Sequence, residues 1–339
     1  MSEHQFKILL KSGTSVASEE EVKKKKILII GISGGLAQIL SRLILKKEKN
    51  VEILGIDSRS TSHCPRLKGL NYQTMKYSRG NFENLFRSHE FDVVYHLARI
   101  TSAAHGDEGL TKRLDLNLMG TNRILNLCLK FNVSKIIILS TFHVYGALPD
   151  NMVFLPETAP LKASIKYPDL RDVVEMDQIC TNWIWKHQKS METIVLRPCS
   201  IIGTQINNAI TRFLSSKFSL FPIDFNPTYQ FIHEFDMANV LYQAIEKVPF
   251  GVYNVAPNDY ISLQDALDRI ANTNKIPFPV MLGRALNTVL KPFGMDVPNY
   301  FIDYLKYSCL IETDQIKKYL GEDFCRYNVK ETLDLISMR

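Results

Sequence analysis

No apolar run in these 339 residues approaches the roughly 20 positions needed to cross a bilayer, and the opening residues lack the apolar core of a secretory leader. No two of the six cysteines (Cys64, Cys128, Cys180, Cys199, Cys309, Cys325) stand at metal-ligand spacing, so they read as reduced, mostly buried thiols and no metal site is expected. Charge of one sign is also in short supply. Lys and Arg number 41 against 35 Asp and Glu, a net of +6, and much of that excess is the run Lys23 to Lys26. Such a balance is no nucleic-acid footprint. The expected partner is therefore a small molecule rather than nucleic acid or membrane, and the expected location is cytoplasmic.

What is present is a soluble globular composition, 45% hydrophobic and 22% charged, long enough for one large α/β domain or two smaller ones. Residues 1–25 read as a polar N-terminal arm. The stretch that organises the rest runs from Lys26 to Asp57. Lys26-Ile-Leu-Ile-Ile-Gly31 is a short apolar run ending at glycine; Gly34 and Gly35 follow, then Leu36, Ile39, Leu40, Leu43 and Ile44 at helical intervals. A second apolar run, Val51 to Asp57, completes a βαβ unit. Glycines at such a turn let a dinucleotide pyrophosphate lie against bare backbone at a helix N-terminus, where free N–H groups and the helix dipole favour an anion. Asp57, 20 positions beyond Ala37, ends the second strand where a carboxylate accepts the adenosine ribose hydroxyls.

Strand and helix signals keep alternating after this unit, which predicts a parallel sheet covered on both faces. A weak strand is expected near Tyr72 to Tyr77, a helix around Asn81 to His89 and a strand from Asp92 to Ala98. A helix from about Arg113 to Phe131 and strands at Lys135 to Ser140 and Thr193 to Arg197 follow.

The spacing Gly31-x-x-Gly34-x-x-Ala37 resembles the short-chain dehydrogenase/reductase superfamily. The later landmarks resemble its extended branch, the NAD-dependent epimerase/dehydratase type, in sequence order over about residues 26–256. They are Asp92-x-x-x-His96-Leu97-Ala98, Asn117-x-x-Gly120-Thr121, Ser140-Thr141-x-x-Val144-Tyr145-Gly146, Leu196-Arg197-Pro198, Phe231-Ile232-His233-x-x-Asp236-x-Ala238 and Gly251-Val-Tyr253-Asn254-Val255. The resemblance implies a Rossmann-type doubly wound parallel sheet (α/β) with a smaller C-terminal substrate-binding part. The nucleotide-binding domain would span 26–198 with a returning strand near 231–256, and the substrate side 199–230 and 257–339. It implies NAD contacts from Gly31, Ser33, Gly34, Gly35, Leu36, Asp57, Ser58, Arg59, Leu97, Ala98, Arg99 and Pro198, and it leaves a homodimer open. Asp57 repels a 2′-phosphate, so NAD is favoured over NADP, with Arg59 offsetting part of that repulsion.

In this family a tyrosine hydroxyl exchanges a proton with substrate, and a lysine four residues on holds the ribose and lowers the phenol's pKa. Tyr167 stands at the tyrosine's place, 26 positions after Thr141, whose hydroxyl orients the substrate oxygen. The lysine is absent. Arg171 occupies its position and keeps the charge without the compact contacts of an ammonium, so the resemblance places Tyr167 and Arg171 in both the catalytic and the cofactor-binding set. Pro168 disfavours helical geometry at Tyr167, which puts that residue at the helix mouth. His143 and Tyr145 are alternative acid/base groups, and a packed aromatic is the plainer role for Tyr167.

Residues 199–230 are apolar and carry few cations, Arg212 and Lys217, where a sugar-nucleotide diphosphate calls for guanidinium groups. The residues leave three readings open. One is an NAD-dependent epimerase, dehydratase or reductase acting on a hydroxyl/keto carbon of a sugar nucleotide or a more apolar small molecule. Another is an NAD(P)-binding scaffold or sensor with impaired catalysis, and a third is a nucleic-acid-binding relative of the fold.

Overall fold

The structure is a computed structural model that describes residues 24–62, 64–98, 113–216, 218–270, 274–282 and 299–337. The apolar run Lys25–Ile30 forms β1, buried along its last four residues as a strand sandwiched between helical layers must be. Gly35–Lys47 forms α1, whose stripe of Leu36, Ala37, Ile39, Leu40 and Ile44 is buried. Val51–Asp57 (β2) and Leu70–Thr74 (β3) follow, then Arg79–Ser88 (α2), which Ser78 caps through a hydrogen bond from Asn81 N–H, and Val93–His96 (β4). After Gly120–Lys130 (α3) come Lys135–Leu139 (β5), Arg171–His187 (α4), Glu192–Pro198 (β6), Glu234–Ala244 (α5) and Gly251–Val255 (β7).

Seven strands make one sheet in the order β7-β6-β5-β4-β1-β2-β3, and every neighbouring pair is parallel. Chain direction across the sheet reverses between β1 and β4. In a doubly wound sheet the crevice beyond the carboxyl ends of the strands at that switch point is where a ligand fits. A large apolar core surrounds the sheet. A second cluster, with Ile202, Phe213, Phe231, Leu267, Leu305 and Leu333, joins the stretch after β6 to the C-terminal residues.

Three local expectations shift. The third strand lies at Leu70–Thr74, earlier than Tyr72 to Tyr77, because Leu70 is the buried anchor that pairs with Ile53. The single helix expected over 113–131 divides into a π-helical turn, Leu114–Met119, and α3. Phe231–His233 pairs in parallel with Ser200–Ile202 outside the main sheet, whereas Gly251–Val255 joins the main sheet at its edge. The polar arm expected at 1–25 lies outside the described residues except for Lys24 and Lys25, and Lys25 already begins β1.

Candidate dinucleotide site and active site

Gly31 follows β1 at a φ of +94°, a conformation that side chains rarely adopt. A Cβ there would meet Ala98 Cα at 2.8 Å, so the turn after β1 and the end of β4 touch backbone to backbone. Gly31 N–H donates to Ile56 O at 2.8 Å, and Gly34 N–H to Gly31 O at 3.0 Å, which closes the turn. Gly34 then caps α1 with no side-chain acceptor, and the first turn of the helix holds no acidic residue. The first amides of α1 are thus left for an anion. This cradle fits a pyrophosphate.

Asp57, at the end of β2, is buried and fully occupied. Oδ2 accepts from Ser33 N–H at 3.0 Å and from Arg59 Nη2 at 3.1 Å; Oδ1 accepts from the Arg59 N–H at 2.9 Å and from Nε at 3.2 Å. Burial works to raise its pKa, but the Arg59 guanidinium and these backbone amides hold it below the usual carboxylate value. Of the remaining expected cofactor residues, Ser33, Gly35, Leu97 and Ala98 are half-buried around the turn and Ser58 is exposed. Leu36 and Pro198 are buried, Leu36 in the core and Pro198 paired with Val255 at the end of β6. Arg99 lies outside the described residues.

Thr141 follows β5 and caps the short turn Phe142–Val144, its hydroxyl accepting from His143 N–H at 3.4 Å. The neighbouring Ser140 belongs to a buried polar network. Arg197 of β6 grips Asp177 of α4 through Nε at 3.0 Å and Nη2 at 2.5 Å, and its Nη1 donates to the Tyr145 hydroxyl at 2.9 Å, which in turn donates to Asn254 Oδ1 at 2.8 Å. Ser140 Oγ donates to the same Asp177. Burial pushes the Tyr145 phenol up to about 12 even though Arg197 draws it down. These bonds make Tyr145 a brace between strands rather than an acid or base. His143 packs against Phe142, Tyr300 and Tyr304, with ring centroids 4.2 to 5.7 Å away.

Tyr167 is buried with extended backbone (φ −123°, ψ 99°) ahead of the 3₁₀ turn Pro168–Leu170, the geometry Pro168 requires. Its hydroxyl lies 3.0 Å from Ala147 O and donates to Asp303 Oδ2 at 2.8 Å. Burial first, and the Asp303 carboxylate second, push its pKa well above the ordinary phenol value.

Arg171, expected beside that hydroxyl, is placed elsewhere. Its side chain is 60% exposed and donates from Nε to Glu175 at 2.6 Å. The 3₁₀ turn explains the departure. Four residues of continuous α-helix return to within about 40° of their starting face, whereas four through a 3₁₀ turn end about 120° away. The next residue, Asp172, faces inward instead and accepts from Asn117 Nδ2 at 2.6 Å.

A model of the family described as the NAD dependent epimerase/dehydratase family matches residues 27–256. The chain belongs to this family. The NAD expected from the glycine turn is the cofactor of the family's own description. A dTDP-D-glucose 4,6-dehydratase of Dictyostelium discoideum is 30% identical over 143 residues, covering 38% of this chain and 32% of the relative. A UDP-glucose 4-epimerase of Halalkalibacterium halodurans is 21% identical over 280 residues, 74% of this chain and 82% of the relative. This chain spans 32%, 42% and 39% of the length of three curated relatives, the Dictyostelium protein among them. Among solved structures, dTDP-glucose 4,6-dehydratase from Bacillus anthracis in complex with NAD superposes with a TM-score of 0.69 at 16% identity, covering 93% of this chain and 96% of that one. UDP-glucuronic acid 4-epimerase from Bacillus cereus, in complex with UDP-glucuronic acid and NAD, gives 0.71 at 18%, covering 92% and 99%. At these identities the likeness is one of fold, and it places the family's doubly wound sheet in this chain.

Several site residues carried no signal in the motifs. Asp303 accepts from the Tyr167 hydroxyl, and Lys166 Nζ stands 2.8 Å from the same Asp303 Oδ2 and 5.4 Å from the centre of the Tyr167 ring. Glu234, buried at the start of α5, accepts from Thr204 N–H at 3.1 Å, Thr204 Oγ1 at 3.0 Å and Gln205 N–H at 2.8 Å. It fixes a strap whose Gln205 carbonyl occupies the space a Cβ on Gly35 would need. Gly35 therefore serves close packing over the mouth of α1. Among the described residues no cluster of side chains could hold a metal ion, and no helix is long and apolar enough to cross a membrane.

Proposed function

We propose that this chain binds NAD at the β1/β4 switch point and acts on a hydroxyl or keto carbon of a small molecule. The seat of Gly31 against Ala98, beside the uncapped first turn of α1, carries the reading, because it lets a pyrophosphate approach bare backbone at a helix N-terminus. Asp57 would take the adenosine ribose once the exposed Arg59 side chain swings aside. When bound, NAD supplies a hydride acceptor or donor. Thr141 orients the substrate oxygen and Tyr167, a neutral phenol in this setting, exchanges the proton. The substrate is a sugar nucleotide, as for the relatives, or a more apolar molecule suited to the few cations of 199–230.

A second reading, a cofactor-binding protein without turnover, draws support from Arg171 facing solvent and from the Tyr167 hydroxyl already holding Asp303. Incubation of the NAD-loaded protein with UDP-glucose, UDP-glucuronic acid or dTDP-glucose separates the two. Conversion of at least one of them, slowed roughly a hundredfold or more by Tyr167→Phe, supports catalysis. Tight NAD binding with no hydride exchange supports the second reading.

A further inference from the structure

The Tyr167 hydroxyl has one proton, and the structure supplies a charged acceptor for it. Asp303, from the helix Asn299–Tyr304, receives it at 2.8 Å; the other acceptor within reach is the neutral Ala147 carbonyl oxygen. Lys166 Nζ stands 2.8 Å from the same Asp303 oxygen. Exposure rises along this chain of groups, because Tyr167 is buried while the Asp303 and Lys166 side chains are 18% and 42% exposed. Among the described residues the other titratable groups facing the pair are Tyr300, Tyr304, Tyr307 and Cys309, with His143 beyond the Tyr300 and Tyr304 rings. Asp303 is the one carboxylate among these neighbours.

We propose that Asp303 is the terminal proton acceptor of the reaction, acting through Tyr167, with Lys166 as its countercharge. The inference rests on the NAD-dependent reading above. In the oxidative direction the substrate O–H bond breaks and its proton passes to Tyr167 Oη. In concert the Tyr167 O–H bond breaks and that proton passes to the Asp303 carboxylate. The oxidised dinucleotide of that reading would supply the acceptor for the carbinol C–H electron pair, leaving as hydride as the carbonyl bond forms. Asp303, left as a neutral acid, returns its proton to water. Tyr167 is a neutral phenol before and after the step. The missing lysine, whose service is to stabilise a phenolate, is then not required. Donation toward Asp303 also leaves a phenol lone pair free to accept from the substrate.

Two readouts test this. In cofactor-free protein carrying ring-labelled tyrosine, the Tyr167 carbon resonance, assigned by its loss in Tyr167→Phe, should hold its phenol position to about pH 11 and should move toward phenolate at lower pH in Asp303→Asn. In NAD-loaded protein given UDP-glucose, UDP-glucuronic acid and dTDP-glucose, Asp303→Asn should slow product formation, and the appearance of bound NADH in a single turnover, about a hundredfold or more with KM within about twofold. Asp303→Glu should restore part of the rate, and the Tyr167→Phe/Asp303→Asn double variant should be no slower than the slower single. Unchanged turnover in Asp303→Asn beside a crippled Tyr167→Phe overturns the relay, as does a Tyr167 resonance that titrates identically with and without Asp303. A wild-type protein that binds NAD yet neither converts any of the three nor forms bound NADH in a single turnover overturns the catalytic reading and the relay with it. In that case the Asp303-dependent resonance alone persists, which tells the two failures apart.

Discussion

Arg59 lays its guanidinium across both oxygens of Asp57, Nε 3.2 Å from Oδ1 and Nη2 3.1 Å from Oδ2, at the place where the second strand meets the dinucleotide crevice. On the proposed reading the carboxylate would repel a 2′-phosphate, and the same arginine is the group that would welcome one. Asp57→Ala removes the proposed ribose acceptor and releases Arg59. NAD affinity should fall by about 1.5 kcal/mol or more, roughly tenfold, while NADP affinity rises. Calorimetric titration with each dinucleotide checks this; a preference ratio that does not move would show that Asp57 plays no part in cofactor choice.

The Arg197–Asp177 pair, 3% and 0% exposed, holds α4 against β6, and Ser140, next to Thr141, donates to the same Asp177. Removing one partner strands the other charge in the core. Asp177→Ala should cost about 3–5 kcal/mol of stability, read as a lowered urea midpoint, and the paired replacement Asp177→Leu/Arg197→Met should recover much of it. A midpoint unchanged in Asp177→Ala would refute the bracing role.

His96 ends β4 with Nε2 2.8 Å from Thr121 Oγ1, and burial pushes its pKa down to about 4. Burial lowers the His233 pKa as well. Below the unfolded value near 6.5 the unfolded chain takes up protons that the folded one refuses, so stability is complete above that pH and declines as pH falls toward 4. For His96 alone the decline amounts to about 3 kcal/mol. Denaturant melts at pH 7 and pH 5 should show the loss, and His96→Gln should flatten the slope. An equal slope in the variant would contradict the assignment.

Arg171 tests the departure from the family pattern. With its side chain in solvent and on Glu175, Arg171→Ala should leave NAD affinity and any turnover within about twofold of wild type, since exposed pairs of this kind contribute little. A loss of tenfold or more in either would mean that Arg171 swings into the site when ligands bind.

Much of this arrangement was legible in the chain because it is local. The apolar run into Gly31, the helical stripe of α1 and Asp57 at the end of β2 lie within 33 residues, and their periodicity reports them directly. Pro168 likewise announced that Tyr167 could not begin a regular helix. What stayed hidden depends on side chains meeting across the fold. Asp303 reaches Tyr167 over 136 positions and Glu234 reaches Gln205 over 29, and neither distance leaves a spacing signal. The Arg171 side chain departs from the motif's expectation for a related reason. Its position in the motif presumes a continuous helix from Tyr167, and a single 3₁₀ turn rotates it to another face.

The central claim is that a dinucleotide binds against the Gly31 turn, and titration calorimetry of the folded protein with NAD tests it most directly. One saturable site per chain is expected, abolished in Gly31→Val, where a branched side chain meets both the positive φ and the Ala98 backbone. Absence of binding heat from oxidised or reduced cofactor at several temperatures in wild-type protein of native stability, or undiminished binding by folded Gly31→Val, would contradict it.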